Sequence, residues 1–308
     1  MRIIVVGGCG YIGTILVPYL LSDGHKVTVF DNFRFKQTPH LDSCANPNFS
    51  IIAGDCRDHN AILPILKDHE IVIHLAAIVG VAACKASPLD ADSINVGSTK
   101  LLVNNMSKDQ ILLFPCTNSG YGIGQEGIYC TEESPLRPIS IYGTTKVAAE
   151  KIVMQRENSI SFRLATVFGA SPCFRSELLV NDFVRKAVFD KSVNLFEPHF
   201  KRNYIHVRDV AGAFLLGIKQ FDSMKSNVYN VGLSSANLSK MELCDVIKKH
   251  LDFDIIINEG MKDDDQRNYM VSNKKIERCG FSPRYSLDDG IEELIKAYRI
   301  TQHSYYSR

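Results

Sequence analysis

The fold of this chain is indicated first by residues 2–13, which read Arg-Ile-Ile-Val-Val-Gly-Gly-Cys-Gly-Tyr-Ile-Gly. A short apolar run, typical of a strand buried on both faces, leads into a turn with glycines at positions 7, 10 and 13. Gly7 allows the tight turn, Gly10 lets a ligand approach the backbone, and Gly13 permits close packing of the following helix. Free N–H groups at the start of that helix predict a pyrophosphate site.

Acidic residues after the next two strands support a dinucleotide ligand. Asp31 ends the predicted second strand. Its carboxylate can accept hydrogen bonds from an adenosine ribose and would repel a 2′-phosphate, which favours NAD over NADP. Asp55 follows the predicted third strand, where such an acid is expected to meet the adenine amine. The alternative for Asp55 is that it caps the next helix.

The first half of the chain alternates between strand and helix patterns. Strands are predicted at 2–6, 26–30, 50–53, 71–75, 111–114 and 160–164, and helices at 11–22, 61–67, 89–107 and 141–157. This alternation predicts an α/β fold with a doubly wound parallel sheet of the Rossmann type. The cofactor is then expected at the carboxyl ends of the strands.

Beyond residue 167 the pattern predicts a smaller mixed α/β C-terminal lobe that binds the substrate. Helices are predicted at 178–189, 210–220, 241–250 and 287–299, and strands at 204–207, 227–230 and 254–257. The strands at 204–207 and 227–230 could rejoin the main sheet. We therefore predict a dinucleotide-binding Rossmann domain over 1–167 and 203–232, and a substrate-binding lobe over 168–202 and 233–308.

The composition narrows the possible classes of protein. The chain has 308 residues and a formal net charge of +1, so no overall field favours nucleic acid or an anionic membrane. No apolar run approaches the ~20 residues that span a bilayer. Its nine cysteines are odd in number and lack a Cys-x-x-Cys pair, and its histidines are scattered. We expect reduced thiols in a cytoplasmic protein, without a disulfide framework or a metal site.

A Tyr-x-x-x-Lys pair in the predicted helix 141–157 suggests acid–base chemistry. Lys146, one helical turn from Tyr142, is expected to stabilise the phenolate and lower its pKa. Tyr142 could then take a proton from a substrate hydroxyl as hydride leaves the same carbon. Thr117, just beyond the predicted strand 111–114, could share that oxygen, and Lys146 could also hold the nicotinamide ribose. The alternative for the pair is a solvated helix face.

These motifs together resemble the extended short-chain dehydrogenase/reductase family, in its nucleotide-sugar epimerase/dehydratase branch, over essentially the whole chain. The resemblance implies that Thr117, Tyr142 and Lys146 are catalytic and that NAD, or NADH in the reduced state, is bound. The matching stretches are residues 7–13, Asp31-Asn32, Gly54-Asp55, His74-Leu75-Ala76-Ala77, Asn95-Val96-Gly97-Ser98, Thr117 with Tyr121-Gly122, Thr131-Glu132-Glu133-Ser134-Pro135, residues 142–146 and residues 202–210. The implied cofactor-binding residues are Gly7, Gly10, Tyr11, Ile12, Gly13, Asp31, Asn32, Asp55, Cys56, Leu75, Ala76, Ala77, Asn95, Tyr142 and Lys146.

Departures from family patterns narrow the reaction. The 4,6-dehydratases follow the catalytic threonine with Asp-Glu, where this chain has Asn118-Ser119, which disfavours dehydration. Epimerase-reductases of GDP-sugars carry cysteine at the position of Ser119, so they are disfavoured too. UDP-galactose 4-epimerases carry lysine at the position of Val79 and asparagine at that of Thr166. Both are absent, which disfavours ordinary UDP-hexose epimerisation without excluding it.

Several stretches, at 117–124, 131–140, 163–169, 180–183 and 232–238, are similar to the GDP-heptose 4-dehydrogenases of capsular polysaccharide synthesis. This resemblance implies oxidation of carbon 4 of GDP-D-glycero-α-D-manno-heptose; the alternative is a 4-epimerase acting through a transient ketone. Cys173 stands where these relatives carry arginine. The implied substrate contacts of the nucleotide-diphosphate sugar are Thr117, Asn118, Ser119, Thr166, Asn181, Arg202 and Arg267.

Three of those residues match family positions that hold the diphosphate, namely Asn181, Arg202 and Arg267. The alternatives are helix capping for Asn181 and surface salt bridges for the two arginines. The family also implies a homodimer in which helices 89–107 and 141–157 form a four-helix bundle. Its apolar face is expected from Val96, Leu101, Leu102 and Val103, unless these residues pack only against their own sheet.

Overall fold

The computed structural model describes residues 1–35, 39–258 and 266–304. Its strands are β1 (Arg2–Val6), β2 (Lys26–Asp31), β3 (Phe49–Ala53), β4 (Ile71–His74), β5 (Ile111–Thr117), β6 (Tyr129–Cys130), β7 (Ser159–Leu164), β8 (Thr166–Phe168), β9 (Ser192–Leu195), β10 (Lys201–His206), β11 (Asn227–Val231), β12 (Asn237–Ser239), β13 (Asp254–Ile257) and β14 (Met270–Val271). Its α-helices are α1 (Gly13–Ser22), α2 (His59–Leu66), α3 (Val81–Ala86), α4 (Pro88–Asp92), α5 (Thr99–Asn105), α6 (Ile141–Val153), α7 (Leu179–Phe189), α8 (Val207–Lys219), α9 (Phe221–Met224), α10 (Lys240–Lys248), α11 (Lys274–Arg278) and α12 (Leu287–Ser304).

A parallel main sheet organises the N-terminal part of the described chain. Its strand order is β11-β7-β5-β4-β1-β2-β3, and β1 pairs in parallel with β2 and β4. Residues 3–6 of β1 are fully buried, as expected for a strand covered by helices on both faces. The predicted doubly wound α/β fold is therefore confirmed.

Each face of the main sheet packs against its own set of helices. On one face, Leu16, Leu20 and Phe214, from α1 and α8, join a buried cluster with β1. On the other face, Ile62 of α2 and Leu102 of α5 pack with apolar residues of α6. Right-handed crossovers between parallel strands place helices on both sides and so bury the central strands, whereas the edge strand β3 is largely exposed.

The expectation that two later strands rejoin the main sheet is right for one of them and wrong for the other. Strand β11 forms the edge of the main sheet beside β7. Strand β10 instead pairs with β8 and β12 in a separate sheet, with Tyr204 opposite Thr166. The reason lies in the chain after β7: Ala165 donates its N–H to Val231, and β8 then leaves the main sheet and offers β10 an edge.

The predicted helix 89–107 is interrupted rather than continuous. Between α4 and α5, residues Ser93–Ser98 form a π-helical turn. Within it the Asn95 side chain bonds the backbone of Ile78, and the Thr99 hydroxyl donates to the Asn95 carbonyl. Such a turn marks a place where side-chain contacts override the regular helix, here directly beside α6.

The C-terminal lobe has its own apolar core. Val184 of α7, Leu243 of α10 and Leu294 of α12 meet in one fully buried cluster. A capping box of Ser239 and Glu242 opens α10, with both reciprocal hydrogen bonds formed. No helix within residues 1–35, 39–258 and 266–304 has the length and apolar character needed to cross a bilayer.

Candidate active site

The three glycines of the first turn have different surroundings. Gly7 has a φ of 82°, and a Cβ there would lie 2.4 Å from the Ala76 nitrogen. A Cβ on Gly13 would lie 2.3 Å from the Gly8 carbonyl oxygen, so helix α1 packs directly on the turn. A Cβ on Gly10 would meet only the Gly7 carbonyl, at 3.5 Å. The open space at Gly10, beside the N–H groups that begin α1 after Tyr11 and Ile12, fits a pyrophosphate.

Asp31 lies against this turn. Its Oδ2 accepts a hydrogen bond from the Cys9 N–H at 2.9 Å, and its Oδ1 accepts one from the Phe33 N–H at 2.8 Å. The neighbouring Asn32 accepts from the Arg34 N–H. These backbone contacts fix the carboxylate at the carboxyl end of β2, where the ribose of a dinucleotide is expected.

Asp55 is engaged by an arginine and does not cap a helix. Arg57 binds both carboxylate oxygens, at 2.9 and 2.7 Å, and holds the pKa of Asp55 below its usual value. The residue that caps α2 is Asp58, which accepts from the N–H groups of Asn60 and Ala61. The capping alternative for Asp55 is therefore wrong, and its adenine contact stays a prediction, as does that of the adjacent buried Cys56.

The residues after β4 are brought onto the glycine turn. The N–H groups of Leu75 and Ala76 both donate to the Val6 carbonyl, at 2.7 and 2.8 Å, and Ala77 follows. Asn95 is buried and bonds the N–H and the carbonyl of Ile78 and the Thr145 hydroxyl. It thus ties the loop after β4 to helix α6.

The predicted catalytic residues converge at the carboxyl end of β5. The Thr117 hydroxyl donates to Ser119 Oγ at 2.8 Å and accepts from the Ser119 N–H at 3.1 Å. Tyr142, the second residue of α6, lies close enough to Thr117 for that hydroxyl to act on its pKa. Arg267 contacts the Ser119 hydroxyl from a distant part of the chain. The structure thus brings four sequence-predicted site residues into one cluster.

The electrostatics of Tyr142 differ from the sequence-based expectation. Burial raises the pKa of Tyr142 to about 12, against the lowering effects of the nearby Thr117 hydroxyl and of the Arg267 charge. Burial also lowers the pKa of Lys146 to about 8. The expected lowering of the Tyr142 pKa by Lys146 is therefore wrong for the ligand-free protein, because desolvation disfavours the charged form of both groups.

Lys146 does not lie on a solvated helix face. Its side chain is only 4% exposed, and its Nζ lies 4.0 Å from the centroid of the Phe114 ring. Cys116 and Glu150 also act on it, and both oppose the fall in its pKa. The alternative given for the Tyr142–Lys146 pair is thus wrong.

Asn118 is the most unusual of the predicted substrate residues. It is 1% exposed, yet neither Oδ1 nor Nδ2 makes a hydrogen bond within the described part of the chain. Leaving a buried amide unsatisfied costs roughly 1–3 kcal/mol for each group. A ligand with both hydrogen-bond donors and acceptors, such as a sugar hydroxyl, fits that requirement.

Two further predicted substrate residues, Asn181 and Arg202, are buried, and neither has the helix-cap or surface salt-bridge role considered as its alternative. Asn181 is fully buried within α7 and bonds the Gly169 N–H and the Arg175 carbonyl, whereas Leu178 is the N-cap. Arg202 is 2% exposed, so it is not a surface ion-pair residue. The capping alternative for Asn181 and the surface alternative for Arg202 are both wrong. Thr166 begins β8 and is half-buried.

Sequence reasoning missed Arg175. Burial raises the pKa of both Tyr142 and Tyr11, and the positive charge of Arg175 opposes that rise in each, so Arg175 lies near both the predicted base and the glycine turn. Arg175 stands two residues after Cys173, the position where the resemblance led us to expect an arginine. The signal that could have identified Arg175 is its place in the same loop as Cys173, close to the position where an arginine was expected.

A model of the NAD dependent epimerase/dehydratase family matches residues 3–232. The chain belongs to this family. It is an enzyme of the NAD dependent epimerase/dehydratase family, and NAD is its cofactor.

Curated relatives span nearly the whole chain. A putative UDP-glucose 4-epimerase of Methanocaldococcus jannaschii is 28% identical, over 95% of this chain and 97% of the relative. The CDP-paratose 2-epimerase of Salmonella typhi is 25% identical, over 96% of this chain and 98% of the relative. Relatives with different nucleotides and different reactions thus share the family's full-length architecture.

Solved structures agree with the fold. The UDP-glucose 4-epimerase of Thermotoga maritima with UDP-glucose superposes with a TM-score of 0.84 at 24% identity, covering 98% of this chain and 100% of that one. The dTDP-glucose 4,6-dehydratase of Bacillus anthracis with NAD gives a TM-score of 0.83 at 22% identity, covering 98% of each chain. At these identities the likeness supports the fold alone.

Proposed function

We propose that this enzyme uses NAD to oxidise carbon 4 of a nucleotide-activated sugar. The observation that carries the proposal is the placement of Tyr142 close to Thr117, whose hydroxyl bonds Ser119 beside Arg267. These groups offer a proton acceptor, a hydroxyl that can share the substrate oxygen, and a cation for the substrate's negative charge.

In the proposed reaction, the phenolate of Tyr142 takes the proton of the carbon 4 hydroxyl. NAD supplies the hydride acceptor when it is bound. The Thr117 hydroxyl donates to the same oxygen and orients it, and the Lys146 ammonium stabilises the phenolate from one turn away on α6. Burial raises the pKa of Tyr142 to about 12 although Arg267 and Arg175 act to lower it, so this proposal assigns the further stabilisation of the phenolate to the Lys146 ammonium.

We propose GDP-D-glycero-α-D-manno-heptose as the substrate and its 4-keto form as the product, for surface or capsular polysaccharide synthesis. The support is the similarity of residues 117–124 and 163–169 to the GDP-heptose 4-dehydrogenases. In this proposal Arg202 and Arg267 hold the diphosphate, and the unsatisfied amide of Asn118 bonds a sugar hydroxyl.

A 4-epimerase is the second candidate. Its support is the similarity over 95% of the chain to a relative described as a putative UDP-glucose 4-epimerase. An epimerase would begin with the same oxidation at Tyr142. The ketone would then rotate within the site and take the hydride back, so the two candidates differ in the fate of the keto-sugar.

Mass spectrometry of nucleotide sugars after incubation with stoichiometric enzyme and NAD tests both candidates. The panel contains GDP-heptose, GDP-mannose, UDP-glucose and UDP-galactose. Loss of two hydrogens from GDP-heptose alone is the result expected for the 4-dehydrogenase. An unchanged mass with a new isomer on chromatography establishes the epimerase instead. If no sugar changes by mass or retention, oxidation at carbon 4 of these substrates is excluded.

A further inference from the structure

A buried ion pair lies behind the proposed catalytic cluster. Arg163, on β7, binds both carboxylate oxygens of Glu150 on α6, at 2.7 to 3.1 Å. Glu150 also accepts from the Ser161 hydroxyl at 2.8 Å. Arg163 is 6% exposed and Glu150 is 3% exposed. The geometry is bidentate, which fixes the two planar groups relative to one another.

The third nitrogen of the same guanidinium binds a different part of the chain. Arg163 Nη1 donates to the Tyr121 hydroxyl oxygen and to the Glu132 carbonyl, each at 3.1 Å. Tyr121 is 2% exposed, and its hydroxyl donates onward to Asn230 Oδ1 at 2.7 Å. Every polar group named in this network has a partner, so the network is expected to be rigid.

The two arms of Arg163 lead to the two segments that carry the proposed catalytic groups. Glu150 lies one turn after Lys146 and two turns after Tyr142 on the same helix. Tyr121 ends the short 3₁₀ turn Asn118–Tyr121 that directly follows Thr117. One buried guanidinium therefore joins the helix of the proposed base to the turn that orients the hydroxyl beside it.

We propose that Arg163 is a positioning residue, which holds Thr117 at the correct distance from Tyr142 through Tyr121 and Glu150. This inference rests on the proposed function, because it assigns a purpose to the Thr117–Tyr142 contact. Misplacing a catalytic group by about 1 Å can lower a rate by about 10²-fold, so a rigid link between the two segments matters for turnover.

The test uses Tyr121→Phe, because substituting Arg163 would leave Glu150 buried and unpaired and could unfold the chain. Tyr121→Phe keeps the ring and removes only the hydroxyl that links Arg163 to the turn. Its matched control is Tyr229→Phe, a tyrosine that is 3% exposed and donates to the Met224 carbonyl. We expect kcat to fall about tenfold in Tyr121→Phe, with KM unchanged, and to stay normal in the control.

A double-mutant cycle with Thr117→Ala separates positioning from general stability. If Tyr121 acts through Thr117, the Tyr121→Phe change costs little once the Thr117 hydroxyl is gone. Additive losses in the double variant would overturn the inference, as would full turnover in Tyr121→Phe. Full turnover in Thr117→Ala would instead refute the proposed role of Thr117, whatever the Tyr121 variant does.

Hydrogen–deuterium exchange of the NAD-loaded enzyme provides a readout that needs no substrate. We expect faster exchange confined to residues 117–121 in Tyr121→Phe and not in Tyr229→Phe. Unchanged exchange over residues 117–121, or a rise spread evenly over the chain, would contradict the proposed link.

Discussion

At the scale of single residues, the proposed chemistry depends on one phenolic oxygen. Tyr142→Phe keeps the ring in its packed position and removes the proton acceptor, so turnover should fall by about 10²- to 10⁴-fold. The measurement is kcat on the sugar identified by mass spectrometry, with the melting temperature as a check on folding. Tyr129→Phe, at a tyrosine that is 50% exposed, is the control. Turnover within a few-fold of the parent would remove Tyr142 from the mechanism.

Lys146 is predicted to lower the stability of the ligand-free protein. Its folded pKa of about 8 lies below the ordinary 10.5, so between these pH values the folded chain binds fewer protons than the unfolded chain. Stability is then reduced below about pH 8 and recovers as the pH rises towards 10.5. A shift of that size corresponds to roughly 3 kcal/mol.

Lys146→Met should therefore raise the free energy of unfolding at neutral pH while abolishing turnover. The gain over the parent should shrink as the pH rises from about 8 towards 10.5, because protonation of the lysine then favours the unfolded parent less and less. Urea denaturation of the NAD-free proteins at several pH values measures the difference. A Met variant less stable than the parent at neutral pH would contradict the prediction.

The residues that sequence reasoning identified are those whose role follows from local spacing. Tyr142 and Lys146 stand one helical turn apart, and in the structure Lys146 is buried and Tyr142 is half-buried against the core. Arg163 and Glu150 escaped notice because their pairing joins β7 to α6 across the fold. The high pKa of Tyr142 was also missed, since burial is a property of the packed molecule and not of a motif.

At the scale of elements, two substitutions in the glycine turn are expected to affect different properties, one NAD binding and the other stability. A Cβ at Gly10 meets only one atom, at 3.5 Å, so Gly10→Ala should fold normally and lose NAD affinity through steric exclusion of the pyrophosphate. A Cβ at Gly13 would lie 2.3 Å from the Gly8 carbonyl oxygen, so Gly13→Ala should destabilise the protein even without NAD.

Thermal melting without NAD, followed by titration with NAD, distinguishes the two variants. We expect Gly10→Ala to melt near the parent temperature and to bind NAD at least tenfold more weakly, whereas Gly13→Ala melts at a lower temperature. Equal melting of both variants would show that the turn relaxes around a Cβ at Gly13, against the packing argument.

The alternation of strands and helices was sufficient to predict the main sheet but not which of the later strands belong to it. Apolar runs such as 2–6 indicate buried parallel strands directly. The position of β10 depends instead on which strand offers it an edge for pairing. That strand is β8, which has three residues. The π-helical turn Ser93–Ser98 likewise depends on contacts of Asn95 with Ile78 and Thr145.

At the scale of the whole molecule, the C-terminal lobe is joined to the cofactor turn by hydrogen bonds. The Tyr11 hydroxyl donates to the Gly169 carbonyl at 2.6 Å, and the Thr14 and Ser171 hydroxyls lie 2.6 Å apart. Ser171 also donates to the Tyr11 carbonyl. A movement of segment 169–171 would therefore also displace the turn that is proposed to hold the pyrophosphate.

The structure changes which residues can form the predicted homodimer face. Leu101 and Leu102 are buried in the chain's own core, so they do not supply an apolar face to a partner. Leu89, which is 86% exposed, stands seven residues before Val96, and Val96 seven before Val103. Val96 lies in the π-helical turn, and both Val96 and Val103 are half-buried, so together with Leu89 they remain accessible to a partner.

We therefore predict a homodimer in solution that Leu89→Glu weakens, because a carboxylate at the interface would have to lose its water. Light scattering should give twice the mass of one chain for the parent and a smaller mass for Leu89→Glu at low concentration. The matched control is Ile300→Glu, at an isoleucine that is 71% exposed on α12, outside the predicted interface. A parent with the mass of a single chain would refute the dimer, whereas dissociation caused only by Ile300→Glu would move the interface to α12.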